Sequence, residues 1–305
     1  MSHGVIATLP ELIKLEQCAR GRQPRTLAKA ARSGDKLSLL RGRGMDFTDV
    51  RHYHTGDEIR HMEWRSTART GKPHIKLYQE ERERPIVLLV DFNPSMYFGT
   101  RVAFKSVLAA RLASLIAWMS SAEGDRVGGF LFSGKHHQEF LPRSRKAGVL
   151  PLLAGLAEYT DILHQHHDHK SQPRPLVDTL SQLRHVLKPG SLLVLISDFY
   201  TLDASCEPLI SRLRQHNDLL AYHINDPLEL APPAPGIYPV TDGTRRLRLN
   251  TRDTHIYQAY TTFAETHLAA VEQRFKRFKT PCVSLTAESD WVNIIHKTFP
   301  RRGHA

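Results

Sequence analysis

Asp91, Asn93 and Ser95 follow directly on the apolar run Ile86–Val90, and Pro94 stiffens the turn between them. Ser197 and Asp198 hold the same place in SLLVLISDF at 191–199. Each run thus ends in a cluster of oxygen-bearing side chains. At the carboxyl edge of an open α/β sheet, such a cluster lies where ligands bind. Two aspartates at two strand ends are the constellation in this chain best suited to chemistry, and a paired-Asp hydrolase or phosphotransferase is one form it takes. The supporting motifs of such enzymes are absent: there is no Gly-x-x-x-x-Gly-Lys-Ser/Thr loop, no Gly-x-Ser-x-Gly elbow and no His-Glu-x-x-His.

The elements that must position these acids are legible in outline. Five uninterrupted apolar residues predict a strand buried on both faces, as in a parallel sheet. Edge-strand alternation appears at 74–84, feeding into it, and further strands are expected at 126–133, 191–199, 219–226 and 282–289. Residues 137–144 lie at hairpin distance from the strand at 126–133, and an Asp-Gly turn predicts a hairpin at 241–250, within an insertion near 237–250. Helices are expected at 9–20, from near Thr100 to Gly124, at 146–158, 175–188, 205–216, 254–278 and 290–299. Strands alternating with helices imply a doubly wound, mostly parallel α/β sheet with right-handed crossovers. In the order 3-2-1-4-5-6 the first and fourth strands are adjacent, which makes Asp91 and Asp198 neighbours at the switch point.

The 305 residues suffice for one large or two modest domains. Three scattered cysteines without metal or redox spacing point to a reducing compartment. With no signal peptide and no window apolar enough to span a bilayer, the chain reads as cytoplasmic. Lys and Arg exceed Asp and Glu by 42 to 31, giving a formal charge of +11. The basic runs at 20–43, 143–146, 245–252 and 274–279 are dispersed, and no aromatic-interleaved RNA-binding motif accompanies them. A solvated basic surface is the simpler reading, and nucleic-acid binding through 20–43 and 245–252 is the alternative. The histidines at 164, 166, 167 and 169 fall in a polar loop; without a spaced Cys or carboxylate partner they read as solvated rather than as zinc ligands.

The segment 45–71 is unusual: rich in charge and poor in aliphatic residues, it still carries Phe47, Tyr53 and Trp64. Thr55 with Glu58 fits a capping box, Asp57 is an alternative cap, and a short helical turn at 58–63 follows from either. Arg51, Arg60, Arg65 and Arg69 are interleaved with Asp49, Asp57, Glu58 and Glu63, a composition for bidentate ion pairing. Such a network fastens structure, and it also suits a docking face.

GRGMDFTDVRHYHTGDEIRHMEWRSTARTGKP at 42–73, LLVDFNPSMYFG, GDRVGGFLF and LISDF together resemble the bacterial domain of unknown function 58, a von Willebrand factor A-like family. The specific part is Arg51, Tyr53, Gly56, Asp57, Arg60, Trp64 and Arg69. The resemblance implies an N-terminal arm and signature segment over 1–84, packed on a von Willebrand factor A-like domain over 85–300. It also implies a metal-ion-dependent adhesion site, in which magnesium sits among hard oxygens and a partner carboxylate completes the shell. Carried over, Asp91, Asn93 and Ser95 fall on the first motif and Asp198 on the last. Asn93 replaces an expected Ser, and the loop 171–180 offers Pro173 and Pro175 where a Thr is expected. The alternative for both aspartates is capping of the switch-point loops. Family members are similar in standing beside MoxR-type AAA+ ATPases, which implies a non-enzymatic adaptor or co-chaperone that serves an ATPase and a client protein.

Overall fold

A computed structural model describes residues 4–20, 45–54, 57, 62–80, 83–134, 136–166, 172–241 and 246–300. The elements, in chain order, are α1 (Leu9–Arg20), β1 (Met45–His52), α2 (Trp64–Thr70), β2 (His74–Glu80), β3 (Pro85–Asp91), α3 (Lys105–Ala122), β4 (Arg126–Ser133), β5 (His136–Ser144), α4 (Lys146–His166), α5 (Leu176–Gln182), β6 (Leu192–Ser197), α6 (Glu207–Arg214), β7 (Asp218–Asn225), α7 (Pro227–Leu230), β8 (Ile237–Thr241), β9 (Arg246–Asn250), α8 (Thr254–Arg277), β10 (Cys282–Thr286) and α9 (Trp291–Thr298).

Six strands form the central sheet in the order β10-β7-β6-β3-β4-β5. Every pairing is parallel except β4 with β5, which the hairpin makes antiparallel. Counted in chain order within this sheet, that is the doubly wound 3-2-1-4-5-6 arrangement, with β3 central and Val90 level with Ile196 of β6. The uninterrupted apolar run of β3 has its cause here. Ile86, Leu88 and Val90 join a core with α1, α3, α4 and α9, while Val87 and Leu89 join a second core with α5, α6 and α8. A strand covered on both faces has no polar side to show.

α3 is buried almost all round, so its one-sided pattern in the sequence understated its burial. α1 lies against α3 and α4. Trp118 Nε1 donates to the Leu12 carbonyl at 3.1 Å, Arg111 pairs with Glu11 at 2.6 Å, and Ala7 N donates to Thr160 Oγ1 at 3.1 Å.

Several boundaries differ from expectation. α3 begins at Lys105 rather than near Thr100, because the Thr100 amide and hydroxyl are both committed to Asp226 (2.9 and 2.7 Å). α4 runs on to His166, so His164 and His166 belong to a helix instead of a loop, while His167 and His169 lie outside the described residues. The expected helix at 175–188 is shorter, Leu176–Gln182, followed by a single 3-10 turn. β2 does not edge the central sheet: it pairs antiparallel with β1 in a two-stranded ribbon. The many charges of β1, and a register break between Phe47 and Asp49, obscure its alternation in the sequence.

The chain divides into two compact units, Met1–Gln23 with Arg84–Ala305, and Pro24–Glu83. In the smaller unit, Glu63 caps α2 by accepting from Arg65 N at 3.3 Å, and Gly71, at φ 68°, ends it in a left-handed turn. Arg51 lies on β1 opposite Ile75, and Tyr53 N donates to the Pro73 carbonyl at 2.9 Å. Asp57 Oδ2 accepts from His54 N at 2.9 Å, and residues 58–61, which it is expected to cap, lie outside the described residues. Trp64 is 67% exposed, and Arg69 is exposed in the last turn of α2. Gly56, Arg60 and the capping box of Thr55 with Glu58 lie outside the described residues.

Candidate functional site at the switch point

Three neighbouring strands deliver three acids to one edge. Asp91 ends β3, Asp198 follows β6 and Asp226 follows β7; all three are buried. Each carboxylate accepts the backbone N–H two residues on: Asn93 N at 2.8 Å, Tyr200 N at 3.3 Å and Leu228 N at 2.9 Å. A short acceptor reaching its own chain fixes the turn by which the strand leaves the sheet. The strand-end aspartates therefore shape the loops, whatever else they do.

Asp91 and Asp198 come from adjacent strand ends, and the connection between them is Ser197. Its hydroxyl donates to Asp91 Oδ2 at 2.7 Å and accepts from Phe199 N at 2.8 Å. Phe199 sits at φ +57°, a left-handed conformation that a bulky side chain avoids unless its surroundings enforce it. Burial, and next the charge on Asp198, push the Asp91 carboxyl up to about 7, against the opposing hydrogen bonds from Ser197 and Asn93 and the Lys105 charge.

Asn93 does not present its oxygen to a ligand. Oδ1 accepts from Arg174 N at 2.8 Å and Gly134 N at 3.2 Å, and Nδ2 donates to the Arg174 carbonyl at 3.1 Å. The side chain ties together the loops after β3, after β4 and before α5. Ser95 is half-buried in the 3-10 turn Pro94–Met96.

The residue that sequence reasoning missed is Lys105. Its ammonium lies 2.9 Å from Asp198 Oδ2 and 2.5 Å from Glu229 Oε1, and the Lys105 and Asp198 side chains are each only 2% exposed. Burial pulls its pKa down, but the Asp198 and Glu229 charges outweigh that and the net shift is upward, so the group stays charged. Glu229 Oε2 accepts from Asp226 N at 2.9 Å, within a capping box at the start of α7. The Tyr200 ring lies 5.3 Å from the ammonium. The available signal was a lysine in a largely apolar helix whose one other charged residue is Arg111.

These donors do not fit a magnesium ion. Magnesium asks for free oxygens in a near-octahedral shell. Here the amide oxygen of Asn93 is used by two backbone N–H groups, and Asp198 already holds a cation. Among the described residues no group of three His, Cys, Asp or Glu side chains is placed to hold a metal.

Beside this network, His223 of β7 and His267 of α8 meet edge to face at 5.9 Å, and His267 stacks on Tyr200 at 4.2 Å. Burial, and next the facing His267, pull His223 down to about 4.

Residues 49–270 match the family described as "Protein of unknown function DUF58". The chain belongs to that family. Proteins similar to this DUF58 chain include an uncharacterized protein of Mycobacterium tuberculosis (strain H37Rv) and one of Mycobacterium bovis. Each is 27% identical over 271 residues, covering 88% of this chain and 83% of the relative. Among solved structures, this DUF58 chain is similar to the conserved hypothetical protein BatB from Bacteroides thetaiotaomicron, with TM-score 0.42 and 12% identity over 70% of this chain and 96% of that one. It is also similar to an aerotolerance-related membrane protein from Bacteroides fragilis, with TM-score 0.42 and 11% identity over 70% and 97%. Among its described residues, no helix is long and apolar enough to cross a membrane.

Proposed function

We propose that this DUF58 protein is a non-enzymatic protein-interaction module, an adaptor or co-chaperone that works in the cytoplasm with a MoxR-type AAA+ ATPase on a client protein. The observation that carries the non-enzymatic part is the saturation of the strand-end acids. Each oxygen of Asp91, Asp198 and Glu229 accepts from a protein donor, which commits these acids to holding the loops and the Lys105 ammonium in place. The ATPase partner comes from the resemblance carried by the signature segment.

Support for recognition lies in what surrounds the acids. The loops after β3 and β6 expose Phe98, Val102 and Tyr200; taken by itself, the smaller unit exposes Trp64 at the head of α2. Exposed aromatic and aliphatic side chains beside a rigid polar network are the composition of a protein-binding surface. Co-purification of the chain with the ATPase, in the presence of ATP and magnesium, is the test. Association that weakens at least tenfold in Trp64→Ala or in Tyr200→Ala supports the reading; no association of the purified pair overturns it.

The alternative, nucleic-acid binding, draws on Arg246 and Arg248, which alternate on one exposed face of β9 with Arg252 just beyond. It requires an affinity that falls steeply with salt. Binding that is weak and insensitive to salt removes it.

A further inference from the structure

We infer that the ammonium of Lys105 takes the place, at the switch point of the sheet, that a von Willebrand factor A-like site gives to a divalent cation. The chain carries its own cation, fixed by a covalent stem, where the family resemblance calls for magnesium.

Of the four residues expected to ligate, Asp91, Asn93 and Asp198 have been reassigned in a consistent way. Asp198 gives one oxygen to Lys105 and the other to Tyr200 N; Asn93 gives its oxygen to two backbone amides; Asp91 gives its oxygens to Asn93 N and the Ser197 hydroxyl. Glu229, which no adhesion motif contains, supplies the second carboxylate on the ammonium at 2.5 Å. A buried anion, Asp198, beside the partly buried Glu229 would be costly without a cation, and a lysine with two carboxylate partners and an aromatic face resolves the charge as a metal would. The two differ in one respect. A metal keeps an open coordination position for a partner's acid, whereas the Lys105 side chain, 2% exposed, has none to offer. Recognition at this edge therefore runs through the surrounding side chains and needs no metal bridge.

The inference concerns the isolated chain and stands apart from the ATPase reading, so its test omits any partner. Purified chain is titrated with Mn²⁺ and followed by electron paramagnetic resonance, and its melting temperature is compared in MgCl₂ and in EDTA. Wild type is expected to leave the free Mn²⁺ signal undiminished and to melt at the same temperature in both. Lys105→Met, which leaves Asp198 and Glu229 uncompensated, is expected to melt lower and to gain Mn²⁺ binding. If that variant fails to fold, Lys105→Met/Asp198→Asn, which removes both charges of the pair, is expected to recover a cooperative melt. Wild-type Mn²⁺ binding that Asp198→Asn abolishes overturns the inference. So does a folded Lys105→Met that ignores Mn²⁺, or a double variant no more stable than the single one.

Discussion

The Ser197 hydroxyl donates to Asp91 across the β6–β3 seam at 2.7 Å, joining residues 106 positions apart in the chain. The bond places a carboxyl group in the middle of the protein, where its protonation is coupled to folding.

That coupling has a sign. Asp91 is raised from 3.8 to about 7 by burial and then by Asp198. Between those values the folded chain keeps a proton that the unfolded chain has released, so this group makes stability fall as pH rises. His223 works the other way. Burial, and then His267, lower it from 6.5 to about 4, so in that window the unfolded chain binds a proton the folded one refuses, and stability falls as pH drops. Each slope reaches at most about 1.4 kcal/mol per pH unit. From these two groups wild type should show a shallow dependence between about pH 4.5 and 6.5. Asp91→Asn should expose a rise in stability with pH, and His223→Phe a fall. Urea midpoints measured across that range check both; parallel profiles for the two variants would contradict the assignment.

Asn93→Ala should cost about 2–3 kcal/mol, because three loops lose their shared amide and the Arg174 and Gly134 N–H groups lose a buried acceptor. Hydrogen exchange resolves the mechanism: protection should drop at the amides of Gly134 and Arg174 before it drops in β3.

Asp226→Ala removes the acceptor of the Thr100 amide, the Thr100 hydroxyl and Leu228 N. A loss of about 2–4 kcal/mol is expected, with faster proteolysis within the 92–104 connection. Thr100→Val, which removes only the hydroxyl, should cost about 1 kcal/mol.

In the smaller unit, Gly71→Ala should destabilise α2 by about 1 kcal/mol, since φ 68° suits glycine and no neighbouring atom stands in the way of a methyl group. Trp64→Ala should leave the melting temperature of the chain unchanged, because the ring is mostly solvated; a large drop would place Trp64 among the structural residues.

The strand order and the meeting of Asp91 with Asp198 were legible because both depend on local pattern: a two-faced apolar run, then oxygen side chains. The Lys105 cluster was not. Lys105 and Glu229 are 124 positions apart, and placing the helix start near Thr100 puts Lys105 inside its second turn, where lysine is unremarked. The start itself is set by Asp226, across the sheet, which no reading of 92–105 contains. Asn93 shows a different limit. Its type was compatible with a ligand, and only its partners reveal that the oxygen is already used. The ribbon of β1 and β2 was half visible, because one strand alternates and the other is broken by charge and a register shift.

α1 is anchored to α3 by Glu11 and Leu12, while the path from α1 back to β3 passes through the whole of Pro24–Glu83. Seating α1 thus closes a long loop whose entropy cost grows only logarithmically, about 0.6 kcal/mol for each doubling of its length. The large unit can therefore host inserted sequence between its first helix and its first strand at little thermodynamic cost. The same wiring makes a cut chain informative: α1 released by cleavage anywhere in that interval should rebind as a separate peptide, with an affinity set by its packing on α3 and α4.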